Sequence, residues 1–184
     1  MERLTSFRFF CSHNCFEVFD GDAKPWEDWW SELHGLTSEE KTIKLLRGWY
    51  RKSSSIVYRT VGQAYDHRID VYRDSRLSVK EDADRVLLHN ISFPSGKMTV
   101  FGLDYGETIA LKPGDYVIQC RAFNLGVELP YDQSVPDDEF LKRDDLERYE
   151  LILTPGTNKR EGLISGVASL DQIEPRNQQN LDDQ

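Results

Sequence analysis

The segment that most constrains the fold is 83–126, where runs rich in β-branched and aromatic residues are broken by turn residues at regular intervals. This pattern is typical of several short antiparallel strands. Pro-Ser-Gly at 94–96 and Lys-Pro-Gly-Asp at 112–115 are the clearest turns, because Pro fixes φ and the following Gly accepts positive φ. The pattern predicts a β-meander with strands at 86–93, 97–103 and 116–121.

Length and composition fit one globular domain. The chain has 184 residues, of which 39% are hydrophobic and 30% charged, and a chain of this length can bury roughly 70% of its unfolded surface. No run approaches the roughly 20 apolar residues of a membrane helix, and the first residues lack the apolar stretch of a secretory signal. We therefore predict a cytoplasmic protein with a single β-sandwich domain at 1–170. A flexible tail is predicted at 171–184, where apolar residues are too few to fold alone.

The charge balance narrows the class of partner. The net charge is −9, whereas nucleic acids and anionic membranes select for clustered Lys and Arg. We therefore expect no direct nucleic-acid or membrane contact, and a basic protein is the natural complement.

The N-terminal half mixes strands with one helical region. Strands are predicted at 7–19 and 55–79, and in the second of these Ile69 and Val71 alternate with Arg68 and Asp70, which indicates a sheet with one face toward water. Between them, the pattern predicts a short helix at 26–33 and a second helix that begins after the cap residues 37–40. In this second helix the spacing of Ile43, Leu46 and Trp49 predicts one buried face.

Three cysteines, Cys11, Cys15 and Cys120, cannot form an even disulfide framework, and their number suits a reducing compartment. The segment 11–15, CSHNC, suggests a metal site. However, zinc usually needs four ligands from two separated pairs, and no second pair with suitable spacing follows. We therefore predict no metal and no other cofactor, with Cys11 and Cys15 as small core residues on one side of a strand.

Three tryptophans, Trp26, Trp29 and Trp30, allow three interpretations. Their spacing is that of a helix face packed on a sheet. Alternatively, they are exposed anchors for a protein partner, since aromatic residues desolvate a large area at little entropic cost. A third possibility is a stacking platform for a sugar or another small molecule, which would make the chain a ligand-binding module.

Most of the excess negative charge of the chain lies in one segment. Segment 128–150 contains nine acidic and three basic residues, a net charge of −6 out of −9. It is predicted to be a long loop with at most one helical turn, and such loops in compact domains are often functional. It is either a solvated charge run or a negative patch that attracts a basic partner. The candidate partner-binding carboxylates are Asp137, Asp138, Glu139, Asp144, Asp145 and Glu147.

Motifs for catalysis are missing from the sequence. It contains no phosphate-binding glycine loop, nucleophile elbow, metal-binding helix pair or deaminase pattern. We therefore predict a protein that is not an enzyme. The competing hypothesis is an enzyme that uses His67 or His89 with a neighbouring carboxylate in one cleft.

The order of several pieces resembles the competence protein J family of small bacterial β-sandwich proteins. The pieces are the aromatic first strand with its polar turn, Trp29-Trp30-Ser31-Glu32, Gly48-Trp49-Tyr50 leading to Ile56-Val57-Tyr58, Ala83-Asp84-Arg85, LKPGDYVIQC at 111–120, and the strand 149–153. The likeness spans roughly residues 12 to 155, and this chain adds the segment 34–46, the acidic loop and the tail.

The resemblance implies a fold and a role. The fold is mainly β, an antiparallel two-sheet β-sandwich with one or two short helices near the N-terminal third. The family's namesake resembles an inhibitor of a DNA-entry nuclease, and similar proteins neutralise toxins. The resulting hypothesis is an acidic protein that inhibits a basic partner, a nuclease or nuclease toxin, by presenting carboxylates in place of phosphates.

Overall fold

The computed structural model describes residues 1–11, 14–23, 35–52, 54–61, 65–77, 82–102, 105–128, 135–173 and 176–177. The strands are β1 (Glu2–Cys11), β2 (Cys15–Asp20), β3 (Trp49–Arg51), β4 (Ser55–Arg59), β5 (Tyr65–Arg73), β6 (Arg85–Phe93), β7 (Lys97–Phe101), β8 (Gly106–Ala110), β9 (Gly114–Phe123), β10 (Val127–Glu128), β11 (Arg148–Pro155), β12 (Gly162–Gly166) and β13 (Arg176–Asn177). The helices are α1 (Ser38–Leu46), α2 (Asp137–Phe140) and a short 3-10 helix, Leu170–Gln172. None of these described helices is long and apolar enough to cross a bilayer.

Two sheets form the body of the protein. A six-stranded sheet has the order β1-β5-β11-β9-β6-β12, and a five-stranded sheet has the order β3-β4-β2-β7-β8. The pairings are antiparallel except that β5 and β11 run parallel, as do the short strands β10 and β13. The predicted two-sheet, mainly β fold is confirmed, and one parallel pair makes the larger sheet mixed instead of purely antiparallel.

The core lies between the sheets and follows the two-residue period of the strands. Phe9 from β1 packs edge-on against Phe16 from β2, with 6.0 Å between ring centroids. Phe16 also packs against Tyr149 of β11, with 5.0 Å between centroids. Aromatic side chains from the start and the end of the chain therefore join the two layers.

The segment 83–126 contains the predicted strands, but it is not a meander. β6 pairs with β9 in the six-stranded sheet, whereas β7 pairs with β2 and β8 in the five-stranded sheet. The turn at 94–96 therefore carries the chain from one sheet to the other. Turn residues show where the chain reverses direction, but they do not show which sheet receives the next strand.

Helix α1 begins at Ser38, directly after its cap residue Thr37 and within the segment 37–40 that is predicted to precede it, and the predicted buried face is wrong. Thr37 and Glu40 form a reciprocal capping box, and Gly48 follows the helix with a positive φ of 77° that favours glycine. No residue of α1 is buried, and Ile43 is 61% exposed. Trp49 lies in strand β3, beyond the end of the helix.

The aromatic segment at the N-terminus forms a pair of strands, one in each sheet. Cys11 ends β1 and Cys15 begins β2, so the prediction that they share one side of a strand is wrong. The two cysteines lie in strands of different sheets, which their even spacing does not show. Ser12 and His13 lie outside the described residues, as do residues 24–34 with the predicted helix at 26–33.

Candidate functional site

Residues 135–147, called here the acidic segment, contain all six of the predicted partner-binding carboxylates. The segment includes the single-turn helix α2 and ends one residue before β11 begins. Asp137, Asp138 and Glu139 are exposed in the first turn of α2. The prediction of at most one helical turn in this region is confirmed for its described part.

Two arginines from the outer face of the six-stranded sheet hold the backbone of the acidic segment. Arg8 of β1 and Arg68 of β5 are direct neighbours in the ladder. Arg8 donates from Nη1 to the carbonyl of Val135 at 2.6 Å. Arg68 donates from Nη1 to the carbonyls of Leu141 and Arg143, both at 2.9 Å. Because these guanidinium groups bind carbonyl oxygens, they fix the backbone of the acidic segment and not only its side chains.

An aromatic contact adds to the attachment. Phe140 is 1% exposed, and the guanidinium carbon of Arg8 lies 4.7 Å from the centroid of its ring. This distance is within the range of a cation–π contact. Helix α2 has no side-chain cap at its N-terminus, so a single helical turn of this kind depends on tertiary packing for its stability.

The described face of β5 beneath the acidic segment is not the wet face that the alternation predicted. Ile69 and Val71 point into the core as expected, but Arg68 and Asp70 on the opposite face are also buried. Arg68 donates from Nε to Asp70 at 3.0 Å. A sheet face can therefore be charged and buried at once, provided that its charges are paired and covered.

Four of the predicted carboxylates are exposed and make ion pairs at the surface. Asp144 lies 2.6 Å from Nη2 of Arg68, and Asp145 lies 2.7 Å from Nη2 of Arg143. Asp138 is 3.5 Å from Lys142, and Asp137 is 3.5 Å from Arg8. The side chains of Asp137 and Asp144 are each 76% exposed, and that of Asp138 is 82% exposed. Part of the negative charge is thus balanced within the chain, but the carboxylate oxygens still face solvent.

Glu147 differs from the other candidates because it is buried, at 1% exposure. Its carboxylate accepts hydrogen bonds from the backbone amides of Gly126 at 2.8 Å and Val61 at 3.1 Å, and from the hydroxyl of Tyr149. Burial alone would raise the pKa of Glu147, but the bonds from His67, Tyr149 and Gly126 outweigh it and lower that pKa. Glu147 therefore fixes the end of the acidic segment, and the predicted partner-binding role does not fit its buried position.

The two candidate catalytic histidines are both in the interior. His67 Nε2 lies 3.4 Å from Glu147 Oε1, so a histidine and a carboxylate are adjacent, but each side chain is 1% exposed. His89 is fully buried, with Nδ1 3.1 Å from the hydroxyl of Tyr58. Burial, and then the nearby Arg51, lowers the pKa of His89 to about 3. Both imidazoles are thus enclosed by other described parts of the chain, which is the usual setting of structural histidines.

Two further predictions concern the three tryptophans and a metal site. Trp26, Trp29 and Trp30 lie outside the described residues, so their interpretations as core residues, as anchors and as a stacking platform all stay predictions. Within the described ranges, no group of three or more His, Cys, Asp or Glu side chains is placed to hold a metal ion.

Sequence reasoning missed Arg8 and Arg68, which position the acidic segment. Both are arginines at strand positions whose neighbours point into the core. One signal could have suggested them: an arginine that alternates with core residues along a strand lies on the opposite face of the sheet. There it can bind a distant acidic loop that covers this face.

These observations define the class of protein as a two-sheet β-sandwich that displays carboxylates on a segment docked to its larger sheet. No protein-family model matches the sequence, and no curated protein sequence matches it. Among solved structures, the chain is similar to ComJ, an inhibitor of the DNA-degrading activity of NucA, from Bacillus subtilis. The TM-score is 0.59 at 11% identity, covering 84% of this chain and 98% of ComJ. The sequence-based resemblance to the competence protein J family is thereby confirmed at the level of the fold.

A second similar structure is described as crocagin biosynthetic gene J. It has a TM-score of 0.48 and 13% identity, and the match covers 85% of this chain and 100% of that one.

Proposed function

We propose that this protein is a non-enzymatic inhibitor of a basic protein, a nuclease or nuclease toxin, and that it acts in the cytoplasm. The observation that supports this proposal most directly is the mode of attachment of the acidic segment. Arginines bind its backbone carbonyls, while Asp137, Asp138 and Asp144 stay exposed on the docked segment. A fixed array of anionic oxygens resembles the phosphates that a nuclease binds.

The charge of the whole molecule favours the same role. A net charge of −9 creates a field that attracts a basic protein and increases the rate of productive encounters. The shared fold with ComJ, whose own partner is the nuclease NucA, is consistent with a nuclease as the target. An immunity protein against a nuclease toxin would use the same surface, since the chemistry of recognition is the same.

The test is capture at low salt from the cell that produces the chain, followed by an assay of DNA degradation by the captured protein. We expect the captured protein to be basic and its nuclease activity to fall as the chain is added. Asp138→Lys/Glu139→Lys is the informative variant, because these side chains lie outside the anchoring contacts of Arg8 and Arg68. We expect about tenfold slower association at low salt and a weaker dependence on ionic strength.

A matched variant controls for total charge. Glu39→Lys/Asp115→Lys makes the same change at two exposed positions elsewhere, in α1 and at the start of β9. It should slow association less than the acidic-segment variant does. Equal slowing by both variants, or inhibition that does not change in either, would contradict a partner surface at the acidic segment.

A further inference from the structure

A groove of about 480 Å³ runs between β1 and the start of the acidic segment. Ser6, Arg8 and Phe10, which alternate along one face of β1, line it together with Asp66, Tyr105 and Asp137. Its volume lies within the range of ordinary ligand sites. The groove is therefore part of the same surface that carries the exposed carboxylates.

The charge of the groove is negative despite the arginine in it. Arg8 pairs with Asp66 through Nη2 and lies 3.5 Å from Asp137, so one guanidinium faces two carboxylates. The hydroxyl of Tyr105 donates to a third carboxylate, Glu107, at 3.1 Å. The hydrogen bond from Arg8 to Asp66 raises the pKa of Arg8 against the opposing effect of burial. These surroundings favour a cation over an anion as the occupant.

Buried groups in the wall of the groove point to a ligand that donates hydrogen bonds. The side chain of Asp66 is 0% exposed. Its Oδ1 and the hydroxyl of Ser6 are buried atoms that make no hydrogen bond within the described part of the chain. A buried carboxylate oxygen without a donor is unfavourable, and small side-chain movements on binding commonly let a donor reach such an atom.

We propose that this groove receives an arginine side chain of the protein partner, which is a step that rests on the proposed inhibitor function. The exposed carboxylate of Asp137 accepts hydrogen bonds from the guanidinium in a charge-assisted pair. The ring of Tyr105, which is 50% exposed, stacks on the guanidinium plane. Asp66 and Ser6 supply the acceptors at the base of the groove.

The first test uses N-acetyl-arginine amide as the probe and the full chain as the protein, with binding followed by NMR of backbone amides. We expect shifts at the residues that line the groove. N-acetyl-citrulline amide, which has the same shape and no charge, should produce none. N-acetyl-lysine amide should bind more weakly, because an ammonium group cannot stack or bind bidentately. Equal binding of the citrulline or lysine probe would overturn the assignment of an arginine site.

Variants distinguish binding in the groove from nonspecific attraction by the negative charge of the whole molecule. Asp137→Asn should weaken binding of the arginine probe about tenfold, the change that corresponds to about 1.4 kcal/mol. Asp138→Asn, one residue away and not among the groove-lining residues, should weaken it at most about twofold by the same relation. Asp115→Asn, at the far end of β9, should leave it unchanged. Equal effects of the changes at 137 and 138 would indicate diffuse attraction and contradict the groove.

The outcomes distinguish this inference from the proposed function. If the chain binds the arginine probe in the groove but neither captures nor inhibits a basic nuclease, the groove is confirmed and the inhibitor function is wrong. If the chain inhibits a nuclease and Asp137→Asn behaves like Asp138→Asn in that complex, the function is confirmed and the groove is wrong.

Discussion

Helix α1 and the acidic segment both present charged, exposed side chains at the surface of the sandwich, but they are held in different ways. In α1 the stabilising contacts are local: the amide of Glu40 donates to Thr37 Oγ1 at 3.2 Å, and the amide of Thr37 donates to Glu40 Oε2 at 2.8 Å. No residue of α1 is buried. The acidic segment instead depends on groups far away in the sequence, Arg8 and Arg68. An element held by tertiary contacts has a fixed position relative to the body, which a recognition surface requires.

The largest effect should follow from Arg68→Ala. The change removes the donor to two carbonyls of the acidic segment and leaves Asp70 buried without its partner. Removing one member of a buried pair costs about 3–5 kcal/mol, so we expect the free energy of unfolding in urea to fall by about that amount.

The matched control for this prediction is Arg143→Ala. Arg143 also pairs with an aspartate, Asp145, at 2.7 Å, but at the surface. Exposed ion pairs contribute about 0–1 kcal/mol, so this variant should unfold nearly as wild type does. A loss as large as that of Arg68→Ala would mean that surface ion pairs, rather than the buried anchor, hold the acidic segment.

The same difference explains what could be predicted from sequence. The N-terminus of α1 was predicted because Thr37 and Glu40 carry a local signal. Strands β6, β7 and β9 were predicted from their composition and turns, whereas β8 and β12, which are rich in polar residues and glycine, were not. Which sheet each strand joins is decided by pairing between distant segments, and that information is not present in any short window.

The candidate site was predicted in part for the same physical reason. The excess of carboxylates is visible in the sequence, so the exposed residues Asp137 and Asp138 could be proposed directly. The burial of Glu147 could not be proposed, because it depends on amides and a histidine contributed by three other parts of the chain. The groove is lined by residues of β1, β5, the acidic segment and Tyr105. These segments are far apart in the sequence, so the groove could not be predicted before their packing was known.

Acid below the ordinary glutamate pKa should loosen the end of the acidic segment that Glu147 fixes. The pKa of Glu147 is lowered in the folded state. Its contribution to stability is therefore complete above the ordinary glutamate pKa of 4.5 and is lost as the pH falls through the lowered value. Amide exchange at Gly126 and Val61, corrected for the intrinsic effect of pH, should show protection falling below pH 4.5.

The loss of stability caused by protonation of Glu147 begins at a lower pH than the loss caused by His89. Because the pKa of His89 is lowered to about 3, the unfolded state gains protons first and stability falls from the ordinary histidine pKa of 6.5 downward. In Glu147→Gln the loss due to His89, which runs from pH 6.5 down to about 3, should persist. Only the additional loss due to Glu147, which begins below pH 4.5, should disappear. A variant that keeps the full acid dependence would show that Glu147 does not anchor the acidic segment.

The smallest effect should follow from Thr37→Ala, which tests whether local capping alone stabilises α1. Loss of an N-cap hydroxyl costs a helix about 1 kcal/mol, and the capping box of Thr37 and Glu40 is lost with it. Because α1 buries no residue against the sandwich, this cost should appear as faster amide exchange within the helix, while the urea midpoint of the whole protein moves little. If Thr37→Ala instead lowers global stability as much as Arg68→Ala does, then α1 is coupled to the body as tightly as the acidic segment, and local capping does not explain its position.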